Sequence, residues 1–512
     1  MIPLFRPSQV REMDDRAYRR GVAPEALMDR AAGHVARGVL RLAGRGYGLR
    51  VGILAGKGNN GGDGIAAGRR LLDAGVAPVV FLARGEGALG EDGTRELRAY
   101  RAAGGRLVGS ANAALDGADV AVDCLLGTGA SGEPRAPYRE VIETLRARAG
   151  LPVVACDIPS GVDADTGRVP GIAVRADLTV TLGAHKRGLW LSPARSYCGE
   201  LVLGELDTYD AGEDEPAARV LEGADIATLV PPAPPEGHKR TRGVVVVLAG
   251  SPGMAGAAIL AARGAFALGA GLVTVVTGAP NLVTAAVPEA LTARIDPDDP
   301  GAAFEVLASR LEGADALAVG PGLGHGEHTA SLVRRIVREV DVPTVLDADG
   351  INVFRHDGDA LADHAAPLLA LTPHAREFAR LIGSSGRDSG DSPGPPGVWG
   401  QRVTVVPEKA KAWGVVLVAK GPGTMIGAPD GRVWVNSTGS VALATGGTGD
   451  VLTGMTATLI AQRPEPESVA AAVWLHGAAG EAAQGKLTAR PVTALDVAAA
   501  VPEVLSQMGG EG

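Results

Sequence analysis

Short aliphatic runs that stop at glycine, aspartate or histidine, each followed by a stretch with helical spacing, recur along nearly the whole chain. Arg50–Ala55 runs into Gly56-Lys-Gly-Asn-Asn-Gly-Gly-Asp-Gly64, Asp119–Asp123 into Leu126-Gly-Thr-Gly129, and Pro152–Asp157 into Ile158-Pro-Ser-Gly161. Val244–Leu248, Ala316–Val319, Thr344–Asp347, Leu368–Leu371 and Val415–Ala419 repeat the pattern, the last two ending in Thr372-Pro-His374 and Lys420-Gly-Pro-Gly-Thr424. Runs this short and this continuously apolar read as strands buried on both faces, which is the condition of parallel sheets. Parallel strands need crossover helices, so the fold class is α/β. Ligands in such folds sit outside the carboxyl ends of the strands, where these Gly, Asp and His residues fall.

The pattern breaks once. Asp210-Ala-Gly-Glu-Asp-Glu-Pro216 is acidic and Pro231-Pro-Ala-Pro-Pro-Glu-Gly237 is proline-rich, so residues 211–237 read as a linker between domains 1–210 and 238–512. A chain of 512 residues can bury a full core in each. Aromatics make up only 3% of it, so Ala, Val and Leu must fill those cores. Residues 8–44 read as helical with Ser8 as a cap, Ile65–Ala74 as the helix after the first glycine loop, and residues 383–407 as a solvent loop giving way to a helix over 401–413.

A formal net charge of -9 argues against a surface that neutralises nucleic-acid phosphates. Cys124, Cys156 and Cys198 lack metal-ligand spacing and are expected as buried free thiols. The N-terminal stretch has no apolar signal segment, which predicts a cytoplasmic protein. The apolar run from Met254 to Val276 contains Arg263 and several glycines, and reads as a buried helix and strand; no membrane association is expected.

Two stretches carry chemistry. Ala444-Thr-Gly-Gly-Thr-Gly-Asp450 precedes an apolar, Ala-rich helix reaching Ala461, so the amides of Gly447, Thr448 and Gly449 would converge on an anion at a helix N-terminus. Asp450 beside such a nest would repel phosphate, but makes sense as a base that takes a hydroxyl proton during phosphoryl transfer. In the first half, Asn59, Asn60 and Asp63 offer oxygens to a cation and hydrogen bonds to a ligand, while Asp123 and Asp157 end neighbouring strands on the same edge. An Asx-rich turn that only satisfies its own backbone is the plainer reading of the Asn59–Asp63 loop.

In order, GNNGGDG, VDCLLGTG, CDIPSGVDADTG and ADLTVTLGAHKRGL resemble the NAD(P)HX epimerase family (the YjeF N-terminal domain) across residues 8–207. HKRTRG, AGSPGMAGAA, VGPGLG, LDADGIN, LTPHAREF, VAKGPGT, ATGGTGDVLTG and WLHG resemble the ADP-dependent NAD(P)HX dehydratase family. The resemblance implies a Rossmann-like three-layer αβα domain followed by a ribokinase-like αβα domain. It also implies nicotinamide nucleotide repair: interconversion of the R and S hydrates of NAD(P)H, and ADP-dependent dehydration of the S form with release of AMP and phosphate. Carried over motif by motif, the epimerase substrate would meet Asn59, Asn60, Gly61, Gly62, Asp63, Gly127, Thr128, Gly129, Ala130, Ser131, Gly132, Glu133 and Asp157, with Asp157 as acid/base. Asn60, Asp123 and Ser160 would hold potassium. The dehydratase substrate would meet Ala257, Gly322, His374 and the base Asp450. ADP, entering with magnesium, would meet Lys420, Gly421, Pro422, Gly423, Thr424 and Gly449. Ala375-Arg376 replace the family's usual Pro-Gly after His374, which leaves that turn free to differ. The expected partners are NAD(P)HX, ADP and further copies of the chain as a homo-oligomer. The rival reading is a ribokinase-like small-molecule kinase fused to a non-catalytic Rossmann-like module.

Overall fold

A computed structural model describes residues 1–230, 236–383, 398–487 and 491–509. The chain divides into two compact units between Ala218 and Arg219. Part of the expected linker is therefore structured: strand Ala218–Val220 and helix Gly223–Leu229 form there, and Leu221, Ile226 and Leu229 join the core of the second unit. Pro231–Pro235 and residues 384–397 of the expected solvent loop lie outside the described residues.

The first unit is built on a seven-stranded sheet, running Arg106–Leu107, Ala77–Leu82, Arg50–Ala55, Val120–Cys124, Val153–Cys156, Leu178–Leu182 and Glu200–Gly204, with every pairing parallel. Alternate strand residues feed different cores. Ile53, Val122 and Val154 pack with helices Pro24–Ala43 and Asn59–Asp73, while Leu54, Ala121 and Ala155 pack with Ala111–Leu115 and Tyr138–Arg146. Both faces are thus covered, giving three layers. Chain order reverses between Arg50–Ala55 and Val120–Cys124, where an open sheet leaves a crevice.

Two helix starts differ from expectation. The first helix is Pro7–Arg19, with Pro7 rather than Ser8 opening it, because a residue without an N–H and with φ already helical suits the first position. Gln9 closes the turn by accepting the Arg6 amide at 2.9 Å. The helix placed at Ile65 begins at Asn59, so most of the expected glycine loop is its opening turns. A Cβ at Gly61 would lie 2.1 Å from the Gly56 carbonyl oxygen, so this glycine serves close approach of the helix to the strand exit.

In the second unit, Leu291–Arg294, Leu272–Thr277, Val244–Leu248, Ala316–Val319, Thr344–Leu346, Leu369–Leu371 and Val416–Ala419 lie side by side, all parallel. Met425–Gly427 and Val433–Val435 extend the sheet antiparallel, and Arg219 pairs opposite Trp434. Val244–Leu248 is buried throughout, and full burial of each Val or Leu is worth about 1.5–3 kcal/mol. Helices Ala255–Ala267 and Thr448–Gln462 touch backbone to backbone: a Cβ at Gly454 would lie 1.8 Å from the Ala261 carbonyl oxygen, and one at Gly264 2.2 Å from that of Val451. That contact fixes the helix bearing Asp450 against the one bearing Ala257. The three cysteines are free and buried, as expected. Among the described residues no helix is long and apolar enough to cross a membrane.

Candidate active sites

The first site lies at the order-reversal crevice of the first unit, where Gly56 N–H donates to the Cys124 carbonyl at 2.9 Å and the two strands then diverge. A cavity of about 590 Å³ opens there, lined by Asn59, Asn60, Asp63, Gly127, Thr128, Gly129, Ala130 and Asp157 among others. Gly61, Gly62, Ser131, Gly132 and Glu133 do not line it. Gly61 and Gly62 pack inside the helix, Ser131 and Gly132 border a much smaller cavity, and Glu133 pairs with Arg139 at 2.5 Å.

Asp123 is fully buried beneath the crevice. It accepts Ser160 N–H at 2.7 Å, Ser160 Oγ–H at 2.6 Å and Leu125 N–H at 3.2 Å. Burial outweighs these bonds and raises its pKa to about 6, with no cationic side chain among the causes. Beside it, Asn60 donates through Nδ2 to the Leu126 carbonyl at 3.2 Å, while its Oδ1 is buried with no hydrogen-bond partner. A buried carboxyl without a counter-charge and an orphaned carbonyl oxygen together fit a hard cation, which oxygen ligands favour.

Asp157 follows strand Val153–Cys156 in the left-handed region at φ 67, unusual for a residue with a side chain. Its amide donates to Val180 O at 2.8 Å, and its Oδ1 accepts Leu182 N–H at 3.1 Å, which hold it there. Oδ1 also lies 2.5 Å from Lys186 Nζ. Lys186 is 1% exposed and spends its remaining donors on Leu182 O and Thr181 Oγ1. Asp14, on the first helix, lines the same cavity, and Lys186 does too. Neither was among the sequence candidates. Lys186 stands in the quoted ADLTVTLGAHKRGL motif, but its partner is 29 residues away.

The second site gathers at strand ends of the other unit. Lys420, directly after Val416–Ala419, lies 2.8 Å from Asp347, which follows Thr344–Leu346 and also accepts Thr453 Oγ1–H at 2.7 Å. Lys420 N–H donates to Pro373 O at 2.9 Å, which brings His374 alongside. A Cβ at Gly449 would meet Lys420 Nζ at 3.3 Å and Asp347 Oδ2 at 3.7 Å, so a side chain here would crowd the pair. Gly421 and Thr424 close a tight turn, the Gly421 N–H donating to Thr424 Oγ1 at 3.1 Å. Ala257 and Gly322 are neighbours: a Cβ at Gly322 would lie 3.0 Å from that of Ala257.

The expected helix start is present, with Gly447 at φ 90 capping Thr448–Gln462. His476, buried and pushed down to about pKa 4 by desolvation, is neutral; its Nε2–H donates to Thr448 O at 2.8 Å and holds the turn from behind. Asp450 forms no hydrogen bond or ion pair among the described residues. Burial, and then the Asp347 charge, lift its pKa to about 7. His374 is half exposed and turns Nδ1 inward, accepting the Arg376 and Glu377 amides to cap helix Ala375–Leu381. Glu377, buried, returns the bond to His374 N–H at 2.9 Å. The Ala375-Arg376 departure is thus the first turn of a helix. Asp347, Glu377 and His476 were not sequence candidates, though Asp347 ends a recognised strand.

Fold and sites together define a two-domain α/β enzyme with a polar cluster at the strand ends of each unit, one around the buried Asp123 and the unpartnered Asn60 oxygen and one around Asp450 at a helix start. Residues 24–188 match the family model described as YjeF-related protein N-terminus, and residues 245–503 the one described as NAD(P)H-hydrate dehydratase. The bifunctional NAD(P)H-hydrate repair enzyme Nnr of Moorella thermoacetica is 36% identical over 99% of this chain and 97% of its own length. That of Salinibacter ruber is 36% identical over 90% of this chain and 88% of its own. The chain therefore belongs to the family of bifunctional NAD(P)H-hydrate repair enzymes. Among solved structures, an ADP/ATP-dependent NAD(P)H-hydrate dehydratase from Bacillus subtilis, co-crystallised with ATP and Mg2+, is 30% identical over 57% of this chain and 99% of its own, with a TM-score of 0.46.

Proposed function

We infer that both repair activities reside on this chain: the first unit interconverts the R and S hydrates of NADH and NADPH, and the second dehydrates the S form at the expense of ADP. The observation that carries the second assignment is Asp450, an unpaired carboxylate raised to about 7 at the mouth of a glycine-capped helix start, beside the Lys420–Asp347 pair. A hydroxyl is a poor leaving group. Asp450 takes the C6 hydroxyl proton as that oxygen attacks the β-phosphorus of ADP, and AMP departs. The Gly447–Gly449 amides face the transferring oxygens, and Lys420 offsets phosphate charge. The N1 lone pair then expels phosphate from C6, and loss of the C5 proton restores the double bond. Magnesium, entering with ADP, would supply charge neutralisation at the phosphates. Ala257, Gly322 and His374 are assigned to the hydrate, and Lys420–Thr424 with Gly449 to the nucleotide.

In the first unit, Asn60, Asp123 and Ser160 would hold potassium, which would neutralise the buried Asp123 and stiffen the cavity wall. Asp157 is assigned to proton transfer at the hydrated ring, and Asn59–Asp63 and Gly127–Glu133 to substrate contacts. The test is recovery of NADH absorbance from a mixed R/S NADHX preparation, with ADP, ATP or no nucleotide, and with or without potassium. Nucleotide-dependent recovery of nearly all the hydrate is expected. Recovery that stops at the S fraction would remove the epimerase assignment, and formation of a stable phosphoester would point to a kinase.

A further inference from the structure

Asp14 stands out among the cavity's titratable groups because its carboxyl has a buried oxygen with no hydrogen-bond partner, and nothing in the assignment above uses it. It projects from helix Pro7–Arg19 into the cavity that Asp157 and Lys186 also line. That orphaned Oδ1 is unfavourable unless a bound molecule or a proton compensates. Lys186 is near enough to act on it electrostatically but commits its hydrogen bonds to Asp157, Leu182 and Thr181. The two carboxyl groups thus differ in kind: Asp157 is tied to an ammonium, and Asp14 is not.

We propose that Asp14 is a second catalytic residue of the epimerase site, the proton donor and acceptor for the ring nitrogen while Asp157 serves the C6 oxygen. This rests on the epimerase reading of the first unit. The step balances without any co-reactant. Asp157 carboxylate takes the C6 hydroxyl proton, the O–H electron pair left on oxygen becomes the second bond of an aldehyde C=O, and the C6–N1 bond breaks with its pair going to N1 as Asp14 carboxyl delivers a proton there. Rotation about C5–C6 turns the other aldehyde face to N1. Closure reverses both transfers, so each carboxyl regains its starting state. Two carboxyl groups with unlike environments are what such a relay needs.

Burial raises Asp14 to about pKa 6. The groups acting on it or feeling its charge are Asp15 and Tyr18 on or near its own helix face, Asp63, Asp157 and Lys186. Because the protonated form is the donor, the rate falls as pH rises through about 6. The experiment follows R-to-S conversion of purified NADHX by chromatography on the full chain without nucleotide, from pH 5 to 8. Asp14→Asn should lower kcat by roughly 100-fold or more with KM nearly unchanged, and abolish the decline above pH 6. Asp14→Glu should restore part of kcat and the decline with it. An Asp14→Asn enzyme with wild-type kcat and profile overturns the proposal. Should that variant not fold, a wild-type kcat flat across the range does so. A wild-type chain that converts nothing rejects the epimerase reading instead.

Discussion

Gly454→Ala should separate the two helices that frame the dehydratase site. The added Cβ would sit 1.8 Å from the Ala261 carbonyl oxygen and 2.8 Å from the Ala265 amide nitrogen, both backbone atoms. Contact between such atoms needs roughly 3.4 Å or more, so the helices must part by more than an ångström, and the neighbouring contact at Gly264 opens with them. Overpacking of this kind costs about 1–3 kcal/mol. The usual gain of Ala over Gly in a helix offsets only about 1 kcal/mol. The net loss is then up to about 2 kcal/mol, and at about 2–4 °C of Tm per kcal/mol the second unit should melt lower by up to about 8 °C. Gly485, in helix Pro466–Lys486, has nothing within 4 Å of its Cβ position, so Gly485→Ala should raise stability by about 0.5–1 kcal/mol. Scanning calorimetry on both variants reads the opposite signs, and ADP-dependent dehydration should fall only in Gly454→Ala. Equal melting of the two variants would refute the close-approach reasoning.

The remaining expectations concern the two centres. Because Asp450 must be ionised to act as base and its pKa is raised to about 7, dehydration should rise with pH through about 7 and level off above it; Asp450→Asn should cut kcat by roughly 100-fold or more while ADP binding by calorimetry persists. Asn60→Ala removes the orphaned Oδ1 and should raise the potassium concentration for half-maximal epimerase rate severalfold, leaving dehydration of pure S-NADHX unchanged; a rate indifferent to potassium in both proteins would sink the cation assignment.

Sheet interiors were legible because strands buried on both faces have little choice of residue. Val244–Leu248 and Ala316–Val319 form at the expected bounds. Candidates at strand ends, Asp123, Asp157 and Lys420, fall where the pattern implied. The helix start at Asn59 was not legible, because glycines that permit close helix–strand contact look the same in sequence as glycines that make a loop. Residues defined by a distant partner were hidden for another reason. Thr453 reaches Asp347 across 106 positions, and His476 supports Thr448 from the middle of helix Pro466–Lys486, so nothing local distinguishes them from ordinary core. In sequence Asp14 is one charge among several on helix Pro7–Arg19, and only the cavity it lines sets it apart.

Both centres use the same physical arrangement. In each, one carboxylate is bound to a lysine ammonium, Asp157 to Lys186 at 2.5 Å and Asp347 to Lys420 at 2.8 Å. In each, a second carboxyl group lies within electrostatic reach but without a partner of its own, Asp14 lifted to about 6 and Asp450 to about 7. The division follows from the limits of an ammonium. Lys186 spends its donors on Asp157, Leu182 and Thr181, and Lys420 hydrogen-bonds Asp347, so in each centre the second carboxyl feels the ammonium only as a charge, which offsets part of its desolvation. The result is one carboxylate fixed in place by its ion pair and one group titrating near neutrality, the state in which proton transfer in either direction is cheapest. Replacing the lysine would therefore change both carboxyl groups together, whereas replacing the unpaired one would remove proton transfer and leave the ion pair standing.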